Sequence, residues 1–375
     1  MTSTTMFTST DVGLMARAIK LARKGQYTTR PNPNVGCVLV DAKGNIVGEG
    51  WHQRAGEPHA EVNALSQAKG RAENGTAYVT LEPCSHFGRT PPCAVALVEA
   101  GIKRVVCAME DPNPKVSGSG FDILKQAGIE VQSGLLREEA ILLNEGFIQR
   151  MSTKRPFVTL KMASSLDGRT ALSNGVSQWI TSPEARADVQ RYRAKSSAIL
   201  SGSGTVLADN PSLTVRHEEL GYLSNTLSAE NVIQPTRVLL DARNQLKAGL
   251  KVFENNAPVI VINGEHNSSI QAEHVQQQQI LNAQGKVDLP AMLQFLAKQE
   301  INDLWIEAGS RLAGAFLREK LVDCLIIYMA PKLMGNSSMG LCDLPEFENM
   351  EEIINLSWKD MRMVGSDLKM TADIE

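Results

Sequence analysis

The sequence has no apolar run that approaches the ~20 consecutive residues needed to span a bilayer. It has no basic excess either, because 38 Lys and Arg stand against 41 Asp and Glu, giving a net charge of −3. That balance argues against a dedicated nucleic-acid-binding protein. The first residues, MTSTTMFTSTDVG, lack the basic and apolar regions of a signal peptide. We therefore expect a cytoplasmic protein whose partners include neither a membrane nor a nucleic acid.

Cysteine is scarce: six residues in a chain of 375 are too few for a disulfide scaffold. In a reducing compartment, cysteines close together in sequence are more typical of metal ligands or catalysts. Only Cys84 and Cys93 are such neighbours. The other four lie in or beside apolar runs and are expected to be inert: Cys37, Cys107, Cys324 and Cys342.

The first half of the chain alternates helix and strand, as in α/β proteins. Apolar residues at Val12, Met15 and Ile19 predict a helix over 11–24. The β-branched segments 35–41 and 46–51 predict a hairpin. Beyond it, the pattern predicts a helix, a strand, a helix and a strand, over residues 59–69, 76–83, 91–101 and 103–110.

The polar segment MSTKRP (151–156) predicts a domain boundary near residue 152, and the α/β pattern restarts after it. Six β-rich segments predict a second sheet: PFVTLKMA, SAILSG, TRVLLD, PVIVI, DLWIE and DCLIIYMAP. Helices are predicted over 182–196, 289–299 and 310–321, and residues 217–234 are interpreted as a polar surface insertion. We therefore predict two α/β domains, residues 1–152 and 153–375.

The motifs HAEVNAL (59–65) and EPCSHFGRTPPC (82–93) predict a metal site. His59, Cys84 and Cys93 offer one imidazole and two thiolates, and three protein ligands leave a fourth position for water, which is the catalytic arrangement of zinc. Cys93 is expected in the first turn of a helix, where the dipole favours a thiolate. Glu61 follows His59 by two residues and can serve as the general acid–base of a zinc deaminase.

Each of these residues alone has a more ordinary interpretation, as a core, capping or solvated side chain, and only the combination favours catalytic zinc. A structural zinc knuckle would need a fourth protein ligand. His86 is the nearest candidate, and we interpret it as a loop residue near the site. Two interpretations stay open for His52, namely substrate contact and core packing.

The segments PNPNVGCVLV (31–40), HAEVNAL and EPCSHFGRTPPC resemble the deaminase half of a bifunctional riboflavin-biosynthesis family. That family combines a diaminohydroxyphosphoribosylaminopyrimidine deaminase with a 5-amino-6-(5-phosphoribosylamino)uracil reductase. The resemblance implies a cytidine-deaminase-like three-layer domain in which His59, Cys84 and Cys93 bind zinc and Glu61 shuttles the proton. It also implies that Asn32 helps to position the substrate.

The second half resembles a dihydrofolate-reductase-like α/β reductase domain in KMASSLDGRTA, SQWITSPEAR, GSGTVLADNPSLTVR and EAGSRLAGAFL. Gly309 lies between a predicted strand and helix, where free backbone N–H groups can face a phosphate, although no G-x-G-x-x-G fingerprint is present. The resemblance implies NADPH contacts at Ala163, Trp179, Thr205, Asp209, Ala242, Gly309, Ser310, Arg311, Leu312, Ala313, Gly314 and Ala315.

The same resemblance implies substrate contacts at Ser177, Arg193, Leu213, Arg216 and Glu307. Arg193 and Arg216 suit a ribose 5-phosphate, because guanidinium groups bind phosphate well. We expect zinc-dependent deamination of a phosphorylated ribosylaminopyrimidine, then NADPH-dependent reduction of its ribosyl chain, in a homodimer formed through the reductase domain. Two alternatives stay open: a nucleic-acid-editing zinc deaminase with an appended domain, and a non-catalytic binding module stabilised by zinc.

Overall fold

Two β-sheets organise the chain in the computed structural model, which describes residues 7–85, 92–113 and 117–375. Each sheet belongs to its own unit, Met1–Lys154 or Arg155–Glu375. Within the described ranges, no helix combines the length and the hydropathy that a bilayer crossing requires.

The first unit is built on a five-stranded sheet with the order β2-β1-β3-β4-β5. Its elements are α1 (Ser9–Ala22), β1 (Gly36–Val40), β2 (Ile46–Trp51), α2 (Ala60–Ala68), β3 (Thr76–Val79), α3 (Cys93–Glu99), β4 (Arg104–Cys107), α4 (Ser119–Gln126), β5 (Glu130–Ser133), α5 (Arg137–Leu143) and α6 (Glu145–Thr153). Strands β3, β4 and β5 are parallel, so the loops that follow β3 and β4 leave the same edge of the sheet.

Helices cover both faces of this sheet. Three alanines of α2 pack with α3 and α4 in one hydrophobic cluster, whereas α1, α5 and α6 contribute to a cluster on the opposite face. A Cβ on Gly50 of β2 would lie 2.3 Å from the Ala60 carbonyl oxygen, so glycine allows the start of α2 to approach the sheet closely. The expected three-layer, cytidine-deaminase-like architecture is confirmed.

The second unit is built on a nine-stranded sheet with the order β11-β10-β9-β8-β12-β6-β13-β16-β15. Its elements are β6 (Phe157–Ser165), β7 (Arg169–Ala171), α7 (Pro183–Lys195), β8 (Ala198–Gly202), α8 (Ser203–Asp209), β9 (Thr236–Asp241), β10 (Val259–Asn263), β11 (Val275–Gln279), α9 (Leu289–Lys298), β12 (Asp303–Glu307), α10 (Ser310–Arg318), β13 (Cys324–Ala330), β14 (Met339–Gly340), β15 (Leu356–Val364) and β16 (Asp367–Ile374).

Seven neighbouring strands of this sheet are parallel, namely β11, β10, β9, β8, β12, β6 and β13. An antiparallel β15–β16 hairpin extends the sheet beyond β13. One face packs against α9 and α10, and the other packs against α7 and α8. All the parallel strands therefore end at one edge, which is where open α/β sheets bind their ligands. The expected second α/β sheet domain is confirmed.

The six strands predicted for the second half are confirmed as β6, β8, β9, β10, β12 and β13, and the three predicted helices are α7, α9 and α10. The interpretation of residues 217–234 as a surface insertion is wrong in part. That segment forms three short 3-10 helices, and its Leu220, Leu223 and Leu227 are buried. Three leucines spaced three and four residues apart supply a hydrophobic side that the polar composition conceals.

Candidate functional site

Three side chains from separate parts of the first unit converge on one point. His59 is the N-cap residue of α2, Cys84 lies in the loop after β3, and Cys93 is the first residue of α3. His59 Nδ1 lies 3.6 Å from Cys84 Sγ and 3.4 Å from Cys93 Sγ. The structure thus brings together the three residues that the sequence predicts as metal ligands, with their ligand atoms within 4.8 Å of one another.

These distances fit tetrahedral zinc. With Zn–S near 2.3 Å and Zn–N near 2.0–2.1 Å, tetrahedral angles separate a bound nitrogen from a bound sulfur by about 3.6 Å. Among the described residues, no fourth His, Cys, Asp or Glu joins the group. His86, the nearest candidate in the sequence, lies outside the described residues. Three protein donors match a catalytic zinc site better than a closed structural one.

The electrostatics of the two thiols also suit a divalent cation. The pKa of Cys84 is lowered to about 4, against the opposing effect of burial, by hydrogen bonds with the Cys93 thiol and the His59 ring. The Cys93 backbone N–H, which lies 3.3 Å from Cys84 Sγ, acts in the same direction. The hydrogen bond with Cys84, burial and nearby Glu61 raise the pKa of Cys93. Two adjacent thiolates would repel each other in this buried position, and a 2+ ion removes that repulsion.

Glu61 lies in the first turn of α2, buried beside the ligand group, where it interacts with Cys93. None of the described residues gives its Oε2 atom a hydrogen-bond partner. Burial raises the pKa of Glu61 to about 7, although the neighbouring His59 acts in the opposite direction. A carboxyl group with a pKa near neutrality and an uncommitted oxygen can accept and return a proton.

His52 is buried next to the ligand group, and it links Asn32 to His59. Its Nε2 atom lies 3.0 Å from Asn32 Nδ2 and its Nδ1 atom 3.2 Å from the Pro58 carbonyl oxygen. These partners assign the proton to Nδ1, so that Nε2 accepts from the Asn32 amide. The His52 ring also meets the His59 ring edge to face, with centroids 5.2 Å apart. His52 therefore orients both a metal ligand and the residue expected to position the substrate.

Most residues predicted to contact NADPH lie along the carboxyl edge of the nine-stranded sheet. Ala163 lies near the end of β6, Thr205 and Asp209 lie in α8, and Ala242 and Gly309 follow β9 and β12. A Cβ on Gly309 would lie 4.0 Å from Thr205 Oγ1, so the turns after β8 and β12 adjoin. Residues far apart in sequence thus surround the edge where ligands of such sheets bind.

Trp179 is 65% exposed, so it is not a residue of the hydrophobic core. The Arg186 guanidinium carbon lies 4.5 Å from the centre of its ring, and Gln178 Nε2 donates to Asp209 across 3.2 Å. Lys332 Nζ donates to the carbonyl oxygens of Trp179 and Ile180, at 3.0 Å and 2.6 Å. A large exposed aromatic ring on a backbone segment anchored by these contacts is well suited to stack on a planar ligand.

Close packing explains the small side chains at two positions of α10. Ala313 is fully buried in a hydrophobic cluster, and a Cβ on Gly314 would lie 2.0 Å from the Asp343 carbonyl oxygen. Gly309 and Arg311 are exposed, whereas Ser310, Leu312 and Ala315 are partly exposed. The start of α10 is therefore the part of this predicted NADPH segment that a ligand can reach.

Both arginines among the predicted substrate contacts form ion pairs with a glutamate. Arg193 donates to both carboxylate oxygens of Glu307, at 2.7 Å and 2.9 Å, and to the Thr214 carbonyl oxygen at 2.9 Å. Arg216 forms a two-bond ion pair with Glu219, at 2.5 Å and 2.6 Å.

The other two predicted contacts are apolar or small. Leu213 is buried in a hydrophobic cluster, which explains this residue without a ligand. Ser177 is partly exposed, two residues before Trp179.

Sequence reasoning missed Lys161, which lies directly opposite Glu307 in the pairing of β6 with β12. Burial lowers the pKa of Lys161, although Glu307 acts in the opposite direction. Lys161 also precedes Ala163 by two residues, so both side chains point to the same face of the sheet. The available signal was a lysine inside an otherwise apolar strand segment.

Two family models match this chain. Residues 8–109 match the cytidine and deoxycytidylate deaminase zinc-binding region, and residues 156–370 match the RibD C-terminal domain. The first match contains both predicted zinc motifs and all three predicted ligands, and the second spans most of the nine-stranded sheet.

Similar proteins span nearly the whole chain. Riboflavin biosynthesis protein RibD of Escherichia coli is 51% identical over 94% of this chain and 96% of its own length. The RibD protein of Haemophilus influenzae is 48% identical over 97% and 98%.

Solved structures give the same picture. Acinetobacter baumannii RibD, form 1, aligns with a TM-score of 0.91 and 46% identity over 98% of this chain and 99% of that one. A Thermotoga maritima diaminohydroxyphosphoribosylaminopyrimidine deaminase/5-amino-6-(5-phosphoribosylamino)uracil reductase aligns with a TM-score of 0.85 and 35% identity, over 98% and 99%.

Proposed function

The chain belongs to the RibD family of bifunctional riboflavin-biosynthesis proteins, and from this membership we propose how its residues perform two reactions. It is a deaminase and a reductase, with zinc and NADPH as cofactors.

The deaminase site consists of His59, Cys84 and Cys93 as zinc ligands and Glu61 as the acid–base residue. The observation that carries this assignment is the pair of N···S distances, 3.4 Å and 3.6 Å, which match tetrahedral zinc. Zinc, when bound, lowers the pKa of a water molecule to about 7. Glu61 accepts a proton from the attacking water and passes it to the amine, which leaves as ammonia. His52 orients Asn32, whose carboxamide holds the pyrimidine.

The substrate we propose is 2,5-diamino-6-ribosylamino-4(3H)-pyrimidinone 5′-phosphate. The name of the Thermotoga maritima protein, 35% identical to this chain, supports that choice. After deamination, reduction of the ribosyl chain gives 5-amino-6-ribitylaminouracil 5′-phosphate.

The reductase site lies at the carboxyl edge of the nine-stranded sheet. NADPH, when bound, would supply a hydride to C1 of the ring-opened ribose. Thr205, Asp209, Ala242 and the start of α10 would hold the cofactor, and the exposed ring of Trp179 would offer it a stacking surface. Ala163, on β6, completes the floor of the site. The protein contributes mainly orientation, which is the usual protein contribution to hydride transfer.

Lys161 is the proton donor that we assign to the reduction. It lies opposite Glu307, and burial lowers its pKa toward the range in which an ammonium group can give up a proton. Glu307 in turn is held by Arg193 through two hydrogen bonds. We assign Arg216 and Ser177 to the phosphoribosyl group, since an exposed guanidinium can exchange its carboxylate partner for a phosphate.

A homodimer formed through the reductase unit is supported by β15. This nine-residue edge strand pairs with β16 on one side, and most of its residues are exposed. Trp358, Met361 and Met363 are large exposed apolar residues on it. A long, exposed apolar edge strand is a template for pairing with a second chain. We propose that a second copy of this chain covers it.

Glu61→Gln tests the deaminase assignment, because it keeps the size of the side chain and removes the proton acceptor. We expect ammonia release to fall roughly 10²–10⁴-fold, with zinc content and NADPH-dependent reduction unchanged. A non-catalytic zinc-stabilised module would instead leave every activity intact. Lys161→Met is the matched change in the other unit, and it should abolish reduction while ammonia release continues.

The nucleic-acid-editing alternative is not favoured, because the RibD C-terminal domain model covers residues 156–370. The net charge of −3 also opposes it.

A further inference from the structure

Glu82, two residues before the ligand Cys84, is a buried carboxylate surrounded by backbone N–H groups. Its Oε2 atom accepts from Asp111 at 3.1 Å and from Gly118 at 3.0 Å. Its Oε1 atom accepts from Gly120 at 2.9 Å and from Phe121 at 3.4 Å. All four donors belong to the segment after β4 and the start of α4, so one side chain binds that segment to the loop after β3.

Glu82 also caps a helix that has no capping side chain of its own. Gly118 is the N-cap residue of α4 and offers no side-chain cap. The Glu82 carboxylate supplies the missing acceptor from another part of the chain and lies at the positive end of the helix dipole. Four N–H donors thus occupy both carboxylate oxygens and tie the start of α4 to the loop after β3.

This arrangement also fixes the peptide that leads to Cys84. The Glu82 N–H donates to the Met109 carbonyl oxygen at 3.0 Å. A Cβ on Gly120 would lie 2.0 Å from the Pro83 carbonyl oxygen, so α4 packs directly on Pro83. Residues 82 and 83 are thereby held from both sides, and the ring of Pro83 fixes its own φ and restricts the backbone of Glu82 before it.

We propose that Glu82 is a positioning residue for the metal site: by anchoring the segment Glu82–Pro83 to α4, it holds the Cys84 thiolate where His59 and Cys93 need it. This inference rests on the proposed role of Cys84 as a ligand. Residues that orient metal ligands commonly change metal affinity by roughly 10- to 100-fold when they are replaced. Glu82 acts through the backbone and touches neither the metal nor the substrate.

Zinc transfer from the purified full-length protein to a chromogenic chelator tests the proposal. Glu82→Gln places an NH2 group against two N–H donors, and we expect the zinc dissociation constant to rise roughly 10- to 100-fold. Glu82→Asp keeps the charge but withdraws the oxygens by one methylene, and it should weaken zinc binding less. NADPH oxidation by the same preparations confirms that the rest of the chain is folded.

Asp11→Asn is the matched control, because Asp11 is a buried carboxylate that caps α1 and bonds Tyr78 and Arg104. It should lower the unfolding temperature of the first unit without altering zinc affinity. Unchanged zinc affinity in both Glu82 variants would overturn the proposal. Equal weakening in Asp11→Asn would also overturn it, because general instability would then explain the loss. Unchanged affinity in Cys84→Ser would instead refute the ligand assignment itself.

Discussion

The buried ion pair between Arg193 of α7 and Glu307 of β12 predicts a measurable contribution to the stability of the second unit. The two side chains are 10% and 16% exposed and share two hydrogen bonds. Burial raises the pKa of Glu307, but Arg193, Lys161 and the Trp305 indole outweigh it and lower the pKa to about 2. Compared with the ordinary value of 4.5, the difference is about 2.5 pH units, or about 3 kcal/mol.

The sign of the pH dependence follows from the direction of this shift. Because the pKa of Glu307 is lower in the folded state, its contribution is complete above about pH 4.5 and disappears as the pH falls toward 2. The unfolding free energy of the wild type should therefore drop by about 3 kcal/mol more than that of Glu307→Gln over this window. Chemical denaturation followed by tryptophan fluorescence measures it, since Trp305 Nε1 donates to Glu307 at 2.9 Å.

A double-mutant cycle at neutral pH isolates the pair. Arg193→Met, Glu307→Gln and the double variant should give a coupling energy of about 3 kcal/mol, as expected for a buried pair that loses one partner. Arg216 and Glu219 form a control pair with the same two-bond geometry, but they are 40% and 38% exposed. Their coupling should be below about 1 kcal/mol. Equal coupling in the two pairs would refute the reasoning.

Three further predictions concern the two sites and the assembly. Lys332→Met should raise the KM for NADPH and weaken quenching of Trp179 fluorescence by the cofactor, because Lys332 holds the Trp179 carbonyl; unchanged quenching would contradict this. Trp358→Lys with Met361→Lys should convert the proposed homodimer to a monomer in light scattering, and a persistent dimer would exclude β15 as the interface. Zinc removal by a chelator should abolish ammonia release while NADPH-dependent reduction continues, whereas parallel loss of both would show that the activities are not independent.

The metal site was predictable from the sequence because its ligands are side chains of types that can be recognised there. His59, Cys84 and Cys93 carry ligand atoms, and two of them stand at helix starts that the local pattern already predicts. Glu61 was identifiable from its spacing to His59. Geometry adds the distances and the buried state of the Glu61 carboxyl, which no spacing rule contains.

Glu82 and Lys161 were not predictable in the same way. The partners of Glu82 are four backbone N–H groups, so no side-chain pattern marks them. The relation of Lys161 to Glu307 depends on two strands that are distant in sequence and adjacent in the sheet. Parallel pairing of this kind is set by the whole fold and leaves no local signature.

Related limits explain two of the strands that the sequence analysis did not predict. Strand β15 (LSWKDMRMV) alternates apolar and polar residues only on either side of a register shift between Trp358 and Asp360, and this slip breaks the period of two that would reveal a strand. Strand β11 is the glutamine-rich segment VQQQQ, whose residues have little intrinsic preference for strands. Both lie at sheet edges, where pairing on one side rather than burial on two maintains the strand.

The hydrophobic clusters of the first unit end at Met151, and those of the second begin at Phe157. Among the described residues, each hydrophobic cluster is made of side chains from a single unit. A substitution inside one cluster is therefore expected to leave the packing of the other unit unchanged, so selection can tune each chemistry separately although a single chain supplies both in equal number.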